Sequence, residues 1–318
     1  MFFIVGPTAT GKSEIAADIA RKLNAEIVSA DAFQIYRELD LLTAKPDSAT
    51  LAKAPHHLVG TMSILEEMNA EKFRQLALSA ISEIHSRGKS TIVVGGSGLY
   101  IKALTHGLSR APSADPDLRA QLNELSLDDL QKKLVDLDPI AANKIDMKNR
   151  RRLVRAIEIC LLSGKSALEQ RSESKVVEAA VLSGTSESAA ETAATTGIFV
   201  FRDRDDLYQR INGRVDAMFE NGVIEEVRGA GAMSSTASKM IGFREIRDLL
   251  DGPADAGSML QCVAQIQQAT RRYAKRQLTW FRRQTNFEAL NLSFLSHHEA
   301  VERISQLAKA SGVAPGND

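Results

Sequence analysis

The stretch Gly6-Pro7-Thr8-Ala9-Thr10-Gly11-Lys12-Ser13 constrains the fold more than any other, because it matches the phosphate-binding loop pattern G-x-x-x-x-G-K-[ST]. This pattern needs a strand before it and a helix after it. The segment Phe2 to Val5 is apolar, as in a buried strand. After the loop, Ile15, Ile19 and Leu23 recur at the four-residue spacing of a helix. The chain therefore begins with a strand, a phosphate loop and a helix, although an ordinary strand-to-helix turn is the alternative.

The residue types in this loop suit a diphosphate or a triphosphate. Glycines let successive backbone N–H groups turn inward around a phosphate, and Lys12 can reach the terminal phosphate oxygens. The hydroxyl of Ser13 can hold a magnesium ion, so Mg²⁺ is the expected cofactor. The loop alone does not identify the molecule that carries the phosphates.

Alternating strands and helices predict an α/β fold, a P-loop NTPase-like parallel sheet flanked by helices. Residues 26–31, 91–94 and 198–201 are short apolar runs typical of strands buried in a parallel sheet. From about 115 to 164 the pattern is helical and charged, which predicts an all-helical insertion domain. We predict a first core part (1–114), the helical insertion domain (115–196) with a flexible segment (172–197), a second core part with a basic C-terminal helix (197–290) and a tail (291–318) that forms a helix of minor consequence.

Polar residues follow two of the predicted strands, where ligands of parallel sheets bind. Asp31 ends the second strand, although it could equally cap a helix that begins at Ala32. Ser97 lies in the glycine-rich segment after the strand 91–94. The two histidines of Pro55 to Leu58 are expected in a loop, as solvated or locally bonded side chains rather than catalysts.

Basic residues cluster although the chain as a whole has 40 basic and 40 acidic residues, so a polyanionic partner must be met by local patches. Arg204, Arg210 and Arg214 follow the strand 198–201 and could neutralise a leaving diphosphate, or could form ion pairs with neighbouring aspartates. The run 149–155 could contact a phosphate backbone or be a solvated face. The last long helix, about 259–284, carries six basic residues from Arg271 to Arg283 and no acidic residue among them, which indicates nucleic acid.

Cysteine content and hydropathy restrict the location. Cys160 and Cys262 lie far apart, without the spacing of a zinc site or a disulfide framework. No apolar run approaches the length that spans a membrane. We expect a cytoplasmic protein without a membrane partner.

Taken together, these motifs closely resemble the bacterial tRNA dimethylallyltransferase family, also called tRNA isopentenyltransferases. The matching pieces occur in the family's order and span nearly the whole chain. They are Gly6 to Ser13, Ala30 to Tyr36, Thr43 to Pro46, Pro55 to Leu58, Val94 to Tyr100, Arg151 to Glu158, Met240 to Glu245 and Lys275 to Arg282. The sequence differs from many relatives at Leu41-Leu42 and at Ser97, where they have Ile-Gly and Thr.

The resemblance implies transfer of a dimethylallyl group from dimethylallyl diphosphate to N6 of the adenosine immediately 3′ of the anticodon in tRNA. It implies that Asp31 accepts the amine proton, that Ser97 bonds the target nucleotide and that an arginine such as Arg204 stabilises the departing diphosphate. The expected partner is the anticodon stem-loop, and the expected state is a monomer.

The resemblance also implies a set of RNA contacts on several segments. These residues are Asp31, Ala32, Phe33, Gln34, Ser97, Arg119, Arg151, Arg152, Leu153, Val154, Arg155, Lys239, Met240, Ile241, Gly242, Phe243, Arg244, Lys275, Arg276, Gln277, Leu278, Thr279, Trp280, Phe281 and Arg282. Two rival functions fit the loop alone: a phosphate-loop kinase or ATP-dependent transferase acting on RNA or a nucleotide, and a non-catalytic RNA-binding switch.

Overall fold

The computed structural model describes residues 1–108, 111–168, 197–252 and 255–313. The chain forms two compact units, one from residues 1–104 and 194–318 and the other from 105–193. The first contains the sheet and the second is helical over its described residues. The sequence placed the start of the helical insertion at 115, whereas the compact helical unit begins at Thr105.

A six-stranded parallel sheet forms the centre of the first unit, as the sequence predicted. Its strands are β1 (Phe2–Val5), β2 (Glu26–Ser29), β3 (His56–His57), β4 (Thr91–Gly95), β5 (Gly197–Phe201) and β6 (Glu288–Asn291), in the spatial order β3-β2-β4-β1-β5-β6. Gly197 thus belongs to a strand rather than to the predicted flexible segment, and the rest of that segment lies outside the described residues.

The helices are α1 (Lys12–Lys22), α2 (Ser48–Leu51), α3 (Ala70–Ser86), α4 (Gly98–Thr105), α5 (Pro116–Glu124), α6 (Leu127–Leu137), α7 (Pro139–Ala142), α8 (Arg150–Ser163), α9 (Arg204–Glu220), α10 (Val223–Gly229), α11 (Phe243–Asp251), α12 (Ala256–Phe281) and α13 (His297–Ala310). Short 3₁₀ turns occupy Ala237–Lys239 and Leu292–Phe294. No helix among the described residues is long and apolar enough to cross a membrane.

Strand β1 lies at the centre of the sheet, and its four apolar side chains are at most 1% exposed. Ile4 pairs with Val94 of β4 and with Ile198 of β5. Because parallel strands present their carboxyl ends at the same edge, the segments that follow β1, β4 and β5 meet there. The phosphate loop, the glycine-rich loop at Gly95–Gly98 and Arg202 therefore share one edge of the sheet.

The C-terminal segment, which the sequence predicted to be a tail of minor consequence, is part of the sheet unit. Strand β6 pairs with β5, and α13 packs against α1. Ala300, Ile304 and Ala308 are at most 1% exposed, at the four-residue spacing of a buried helix face. His297 Nε2 lies 2.9 Å from Asp18 Oδ2 and links the two helices. The expected helix is therefore present, and its packing makes it part of the sheet unit rather than a peripheral tail.

The helical unit is built around α6 and α8, with Leu130, Leu134, Leu153 and Ile157 fully buried. Glu158 is also fully buried and organises the charged groups around it. It accepts hydrogen bonds from Arg119 at 2.9 Å, from Arg155 at 2.5 Å and from the Asp115 amide at 2.8 Å. Burial alone would raise the pKa of Glu158, but these hydrogen bonds outweigh it and hold the pKa below its usual value.

Replacing Glu158 with alanine is expected to lower the free energy of unfolding of the helical unit by about 3 kcal/mol, because it breaks a buried ion pair and leaves two arginines without their partner. Hydrogen exchange of the α8 amides measures this loss. The difference in unfolding free energy between Glu158→Ala and the unmodified protein should be largest above pH 4.5, the pKa of glutamate in the unfolded chain. It should shrink as the pH falls through the lower pKa that Glu158 has in the folded protein. The exposed Glu124 provides the matched control, and equal effects of both alanine variants would contradict the prediction.

Candidate active site

The phosphate loop takes the conformation that its sequence predicts. Strand β1 ends at Val5 and α1 begins at Lys12, and Gly11 between them has a φ of 89°, which favours glycine. Gly11 offers no side-chain acceptor to the first turn of α1. The N–H groups of that turn are thus suited to an anion.

Lys12 is buried beside the loop, with 9% of its surface exposed. Its Nζ donates to the carbonyl oxygen of Pro7 at 3.1 Å, and Thr10 Oγ1 donates to the same oxygen at 3.0 Å. Burial lowers the pKa of Lys12 to about 8, with the nearby Asp31 opposing the shift and Arg214 adding to it. A diphosphate bound here would stabilise the charged ammonium.

Two arginines hold the loop from the side of β5 and α9. Arg202 Nε donates to the Thr10 carbonyl and Arg210 Nε donates to the Ala9 carbonyl, both at 2.9 Å. Arg202 also forms an ion pair with Asp206, whose Oδ2 lies 2.9 Å from Arg202 Nη1. Arg202 was missed in the sequence, although it directly follows a predicted strand.

A third arginine lies deeper in the site. Burial lowers the pKa of Arg214, and the charge of Asp31 opposes that shift. Its Nε is a buried atom without a hydrogen-bond partner. Arg214 is thus a cation near both Lys12 and Asp31, with donor capacity for an anionic ligand.

The prediction for Arg204 needs correction. This residue is exposed, and its guanidinium lies over the ring of Tyr208, 5.3 Å from the centroid. It begins α9, whereas Arg210 and Arg214, about two and three turns further along, lie at the phosphate site. Arg202 and Arg210 therefore bond the phosphate loop and Arg214 lies near Lys12, whereas Arg204 lies against Tyr208.

Asp31 follows β2 and both organises a turn and lines the cleft. Its Oδ1 accepts hydrogen bonds from the amides of Phe33 at 2.9 Å and Gln34 at 3.3 Å. These residues form turns rather than the helix considered at Ala32. The turn uses Oδ1, so Oδ2 is the oxygen that it leaves for a proton.

Ser97 joins the two loops that flank Asp31. Its amide donates to the Ala30 carbonyl at 3.3 Å, and its Oγ accepts a hydrogen bond from the Ala32 amide at 3.0 Å. Tyr273, whose pKa is raised mainly by burial, contacts Ser97 from α12. Ser97 therefore fixes the backbone on both sides of Asp31.

An open cleft lies between these groups. Its polar walls include Lys12, Ser13, Asp31 and Gln34. Ile27, Pro46, Val59 and Val94 add apolar surface, and His56 also reaches it. The cleft combines a phosphate site, a carboxylate and apolar walls, which suits a small ligand with a diphosphate head and a hydrocarbon portion.

The prediction that Pro55 to Leu58 form a loop was wrong at its centre, because His56 and His57 pair with β2 as the edge strand β3. His57 Nε2 lies 2.7 Å from Glu26 Oε2, which makes it a structural residue. His56 Nδ1 lies 2.7 Å from the Ala54 carbonyl, and burial lowers the pKa of its ring. Two-residue strands carry too little pattern to be recognised in a sequence.

The predicted RNA contacts divide by burial into two groups. Arg151, Arg152, Lys239, Arg244, Lys275, Arg276, Thr279 and Arg282 are exposed and stay predictions, as do the partly buried Asp31, Ala32, Phe33, Gln34, Ser97, Ile241, Phe243, Leu278 and Trp280. The side chains of Leu153, Val154, Met240, Gln277 and Phe281, together with Gly242, are buried, so these assignments are corrected. They were included because the resemblance implied RNA contacts over whole segments, and in a helical segment every third or fourth position faces the core.

Arg119 and Arg155 need a further correction. Both bind Glu158 within the helical unit, and Arg155 also donates to the Pro112 carbonyl at 2.7 Å. Their guanidinium groups already have structural partners. The basic residues of α8 with free access are Arg151 and Arg152, at the exposed start of the helix.

The donor set can be tested for Mg²⁺, which binds oxygen ligands and usually keeps several waters while it bridges to phosphates. Among the described residues, no cluster of three His, Cys, Asp or Glu side chains could form an all-protein metal site. The Ser13 hydroxyl and the Asp31 carboxylate do line the same cleft as Lys12. These oxygens fit a magnesium ion that arrives with a diphosphate.

Comparisons with known proteins agree on one kind of protein. The sequence profile of the family described as IPP transferase matches residues 34–284. The tRNA dimethylallyltransferases of Akkermansia muciniphila and Geobacter sulfurreducens are each 40% identical to the chain, over 282 and 291 residues; the first alignment covers 89% of this chain and 90% of the relative, and the second covers 89% of each.

Solved structures are similar as well. The tRNA isopentenylpyrophosphate transferase of Bacillus halodurans is 33% identical, with a TM-score of 0.67 over 98% of this chain and 95% of that one. A eukaryotic dimethylallyltransferase acting on tRNA is 25% identical, with a TM-score of 0.79 over 100% of this chain and 81% of that one. Both likenesses span the sheet and the helical unit.

Proposed function

This chain belongs to the IPP transferase family, and from that premise we propose that it moves a dimethylallyl group from dimethylallyl diphosphate to N6 of the adenosine immediately 3′ of the anticodon. Its enzyme class is tRNA prenyltransferase, as in its relatives. The donor, the acceptor atom and its position in the tRNA are the proposed parts. The observation that carries them is the cleft shared by Lys12 and Asp31.

The reaction requires help with the leaving group first. The lone pair of an exocyclic adenine amine is delocalised into the ring, so the C1–O bond of the allylic diphosphate must loosen before the amine attacks. Lys12, Arg214 and the N–H groups at the start of α1 would stabilise the negative charge that develops on the diphosphate. Arg202 and Arg210 would keep the loop in place through its carbonyl groups.

The second step is proton removal. N6 forms a bond to C1 while the C1–O bond breaks and the electron pair leaves with the diphosphate. Asp31, through Oδ2, would take the proton that N6 loses. An adenine that stays stacked within the anticodon loop cannot place N6 beside Asp31 and the diphosphate, so the base must be flipped out of the stack.

Ser13, with Asp31 nearby, would hold Mg²⁺ against the diphosphate oxygens. The ion would supply further neutralisation of the leaving group. All proposed groups come from one chain, so a monomer would suffice, and a cytoplasmic location would give access to tRNA.

The decisive experiment supplies labelled dimethylallyl diphosphate and an anticodon stem-loop to the purified protein. We expect label in the RNA when adenosine occupies the target position, and none when the same RNA carries purine riboside, which lacks the exocyclic amine. Labelled ATP is tested in parallel. Phosphoryl transfer from ATP without prenyl incorporation would favour a kinase, and RNA binding without either transfer would favour a non-catalytic switch.

A further inference from the structure

One residue on the basic helix α12 does not face outward with its charged neighbours. Gln277 is 5% exposed, whereas Lys275, Arg276, Thr279 and Arg282 beside it are exposed. The helix therefore presents an outer basic surface, and Gln277 marks its inner face. An RNA that lies on the outer surface cannot reach the Gln277 amide.

Both ends of this amide are bonded to backbone groups of the site. Oε1 accepts a hydrogen bond from the Thr8 amide in the phosphate loop at 2.9 Å, and Nε2 donates to the Gly96 carbonyl at 2.9 Å. Thr8 follows β1, and Gly96 follows the neighbouring β4. One side chain of α12 thus connects the two loops between which the reacting groups lie.

The glycine-rich loop and the inner face of α12 are packed so closely that no side chain fits at Gly96 or Gly98. A Cβ atom on Gly96 would overlap the amide of Gln277, and a Cβ atom on Gly98 would lie 2.6 Å from the indole of Trp280. The inner face of α12 therefore rests directly on the glycine-rich loop. Any change in the position of the helix must be transmitted to this loop and, through Gln277, to Thr8.

We propose that Gln277 is a positioning residue that couples RNA docking on the outer face of α12 to diphosphate binding in the phosphate loop. RNA that contacts the basic face restrains α12, and the bridge from Gln277 to Thr8 and Gly96 then restrains the phosphate loop. Each ligand therefore favours the loop arrangement that the other needs, and the coupling is reciprocal. This inference rests on the proposed function, because it assumes RNA and a diphosphate as joint ligands.

The chemistry of the bridge requires an amide. The Thr8 N–H needs an acceptor and the Gly96 carbonyl needs a donor, and among side chains of this length only glutamine offers both. Glutamate keeps the acceptor but directs a second oxygen at the Gly96 carbonyl, and leucine offers neither. The two substitutions therefore break one or both connections with little change in volume.

The test measures binding rather than turnover, with inorganic pyrophosphate and an anticodon stem-loop as the probes. In the unmodified protein, saturating RNA should tighten pyrophosphate binding by about tenfold. In Gln277→Leu and Gln277→Glu this factor should fall to about one, while the Kd for RNA alone changes less than about twofold. Gln265→Leu, at an exposed position of the same helix, should retain the full factor.

Several outcomes would overturn the proposal. If RNA does not tighten pyrophosphate binding in the unmodified protein, the coupling does not exist. If both Gln277 variants keep the coupling, the bridge does not transmit it, and if they lose RNA affinity, Gln277 is an RNA contact. Melting temperatures show whether each variant is folded. If Gln277→Leu unfolds the protein, the test is made with Gln277→Glu alone. This test measures binding and not prenyl transfer, so its failure can be distinguished from failure of the proposed reaction, which the labelling experiment tests.

Discussion

Replacing Lys12 with methionine should lower kcat for prenyl transfer by about 1,000-fold, because it removes a preorganised cation from the leaving diphosphate. Methionine has a similar length and fills the same buried space, so the phosphate loop should keep its shape. Single-turnover measurements with saturating RNA report the chemical step. Lys22→Met, at the exposed end of the same helix, should leave kcat unchanged.

The charge of Lys12 also predicts a pH dependence of binding. Because burial lowers its pKa to about 8 in the free protein, a diphosphate that binds at higher pH must first restore the proton. The affinity for dimethylallyl diphosphate should be constant below pH 8 and should fall by up to about tenfold per pH unit above it. Lys12→Arg stays charged and should remove this slope. A slope that persists in the arginine variant would assign the titration to another group.

Replacing Asp31 with asparagine should lower kcat by about 1,000-fold while RNA affinity changes less than about twofold. The amide oxygen of asparagine can still accept the hydrogen bonds from Phe33 and Gln34, so the turn survives while the proton acceptor is lost. Asp31→Ala should lose turnover as well, because it removes both the base and the turn. Binding is measured with the unreacted stem-loop.

Asp47 offers a matched control for this substitution. It also accepts a backbone hydrogen bond, from the Thr50 amide at 2.8 Å, but it is exposed and caps α2. Asp47→Asn should therefore retain full turnover. Unchanged turnover in Asp31→Asn would discard its role as the base, and a parallel loss of RNA affinity would assign it to RNA binding instead.

The sheet and the phosphate loop could be predicted because their signals are local. Four apolar residues before the phosphate loop identify β1, and the spacing of Ile15 and Ile19 identifies α1. The edge strand β3 was missed, because a two-residue strand has no period. The C-terminal α13 was expected as a helix but not as part of the core, because its buried face consists of Ala300, Val301, Ile304, Ser305 and Ala308 and has few large apolar side chains. Their burial depends on partners that are distant in the sequence.

The site shows the same division. The positions of Lys12, Ser13 and Asp31 follow from motifs at strand ends, whereas the choice among the arginines of α9 depends on which face of the helix meets the loop. Arg204 and Arg210 differ in sequence by less than two turns, yet only Arg210 bonds the loop. Gln277 was grouped with the RNA contacts of the segment Lys275 to Arg282. Its inward orientation depends on how the helix packs, which the local sequence does not show.

The order of the strands has a consequence for protein synthesis. Strand β1 precedes both of its sheet neighbours in the sequence, because β4 ends at Gly95 and β5 ends at Phe201. The hydrogen bond from the Thr8 amide to Gln277 can form only after residue 277 has been translated. A nascent chain thus carries an apolar strand with one unpaired edge until Phe201 has been translated, which exposes it to aggregation and makes it a substrate for chaperones. Slowing translation before Phe201 should therefore reduce the yield of folded protein more than slowing it after Asn291.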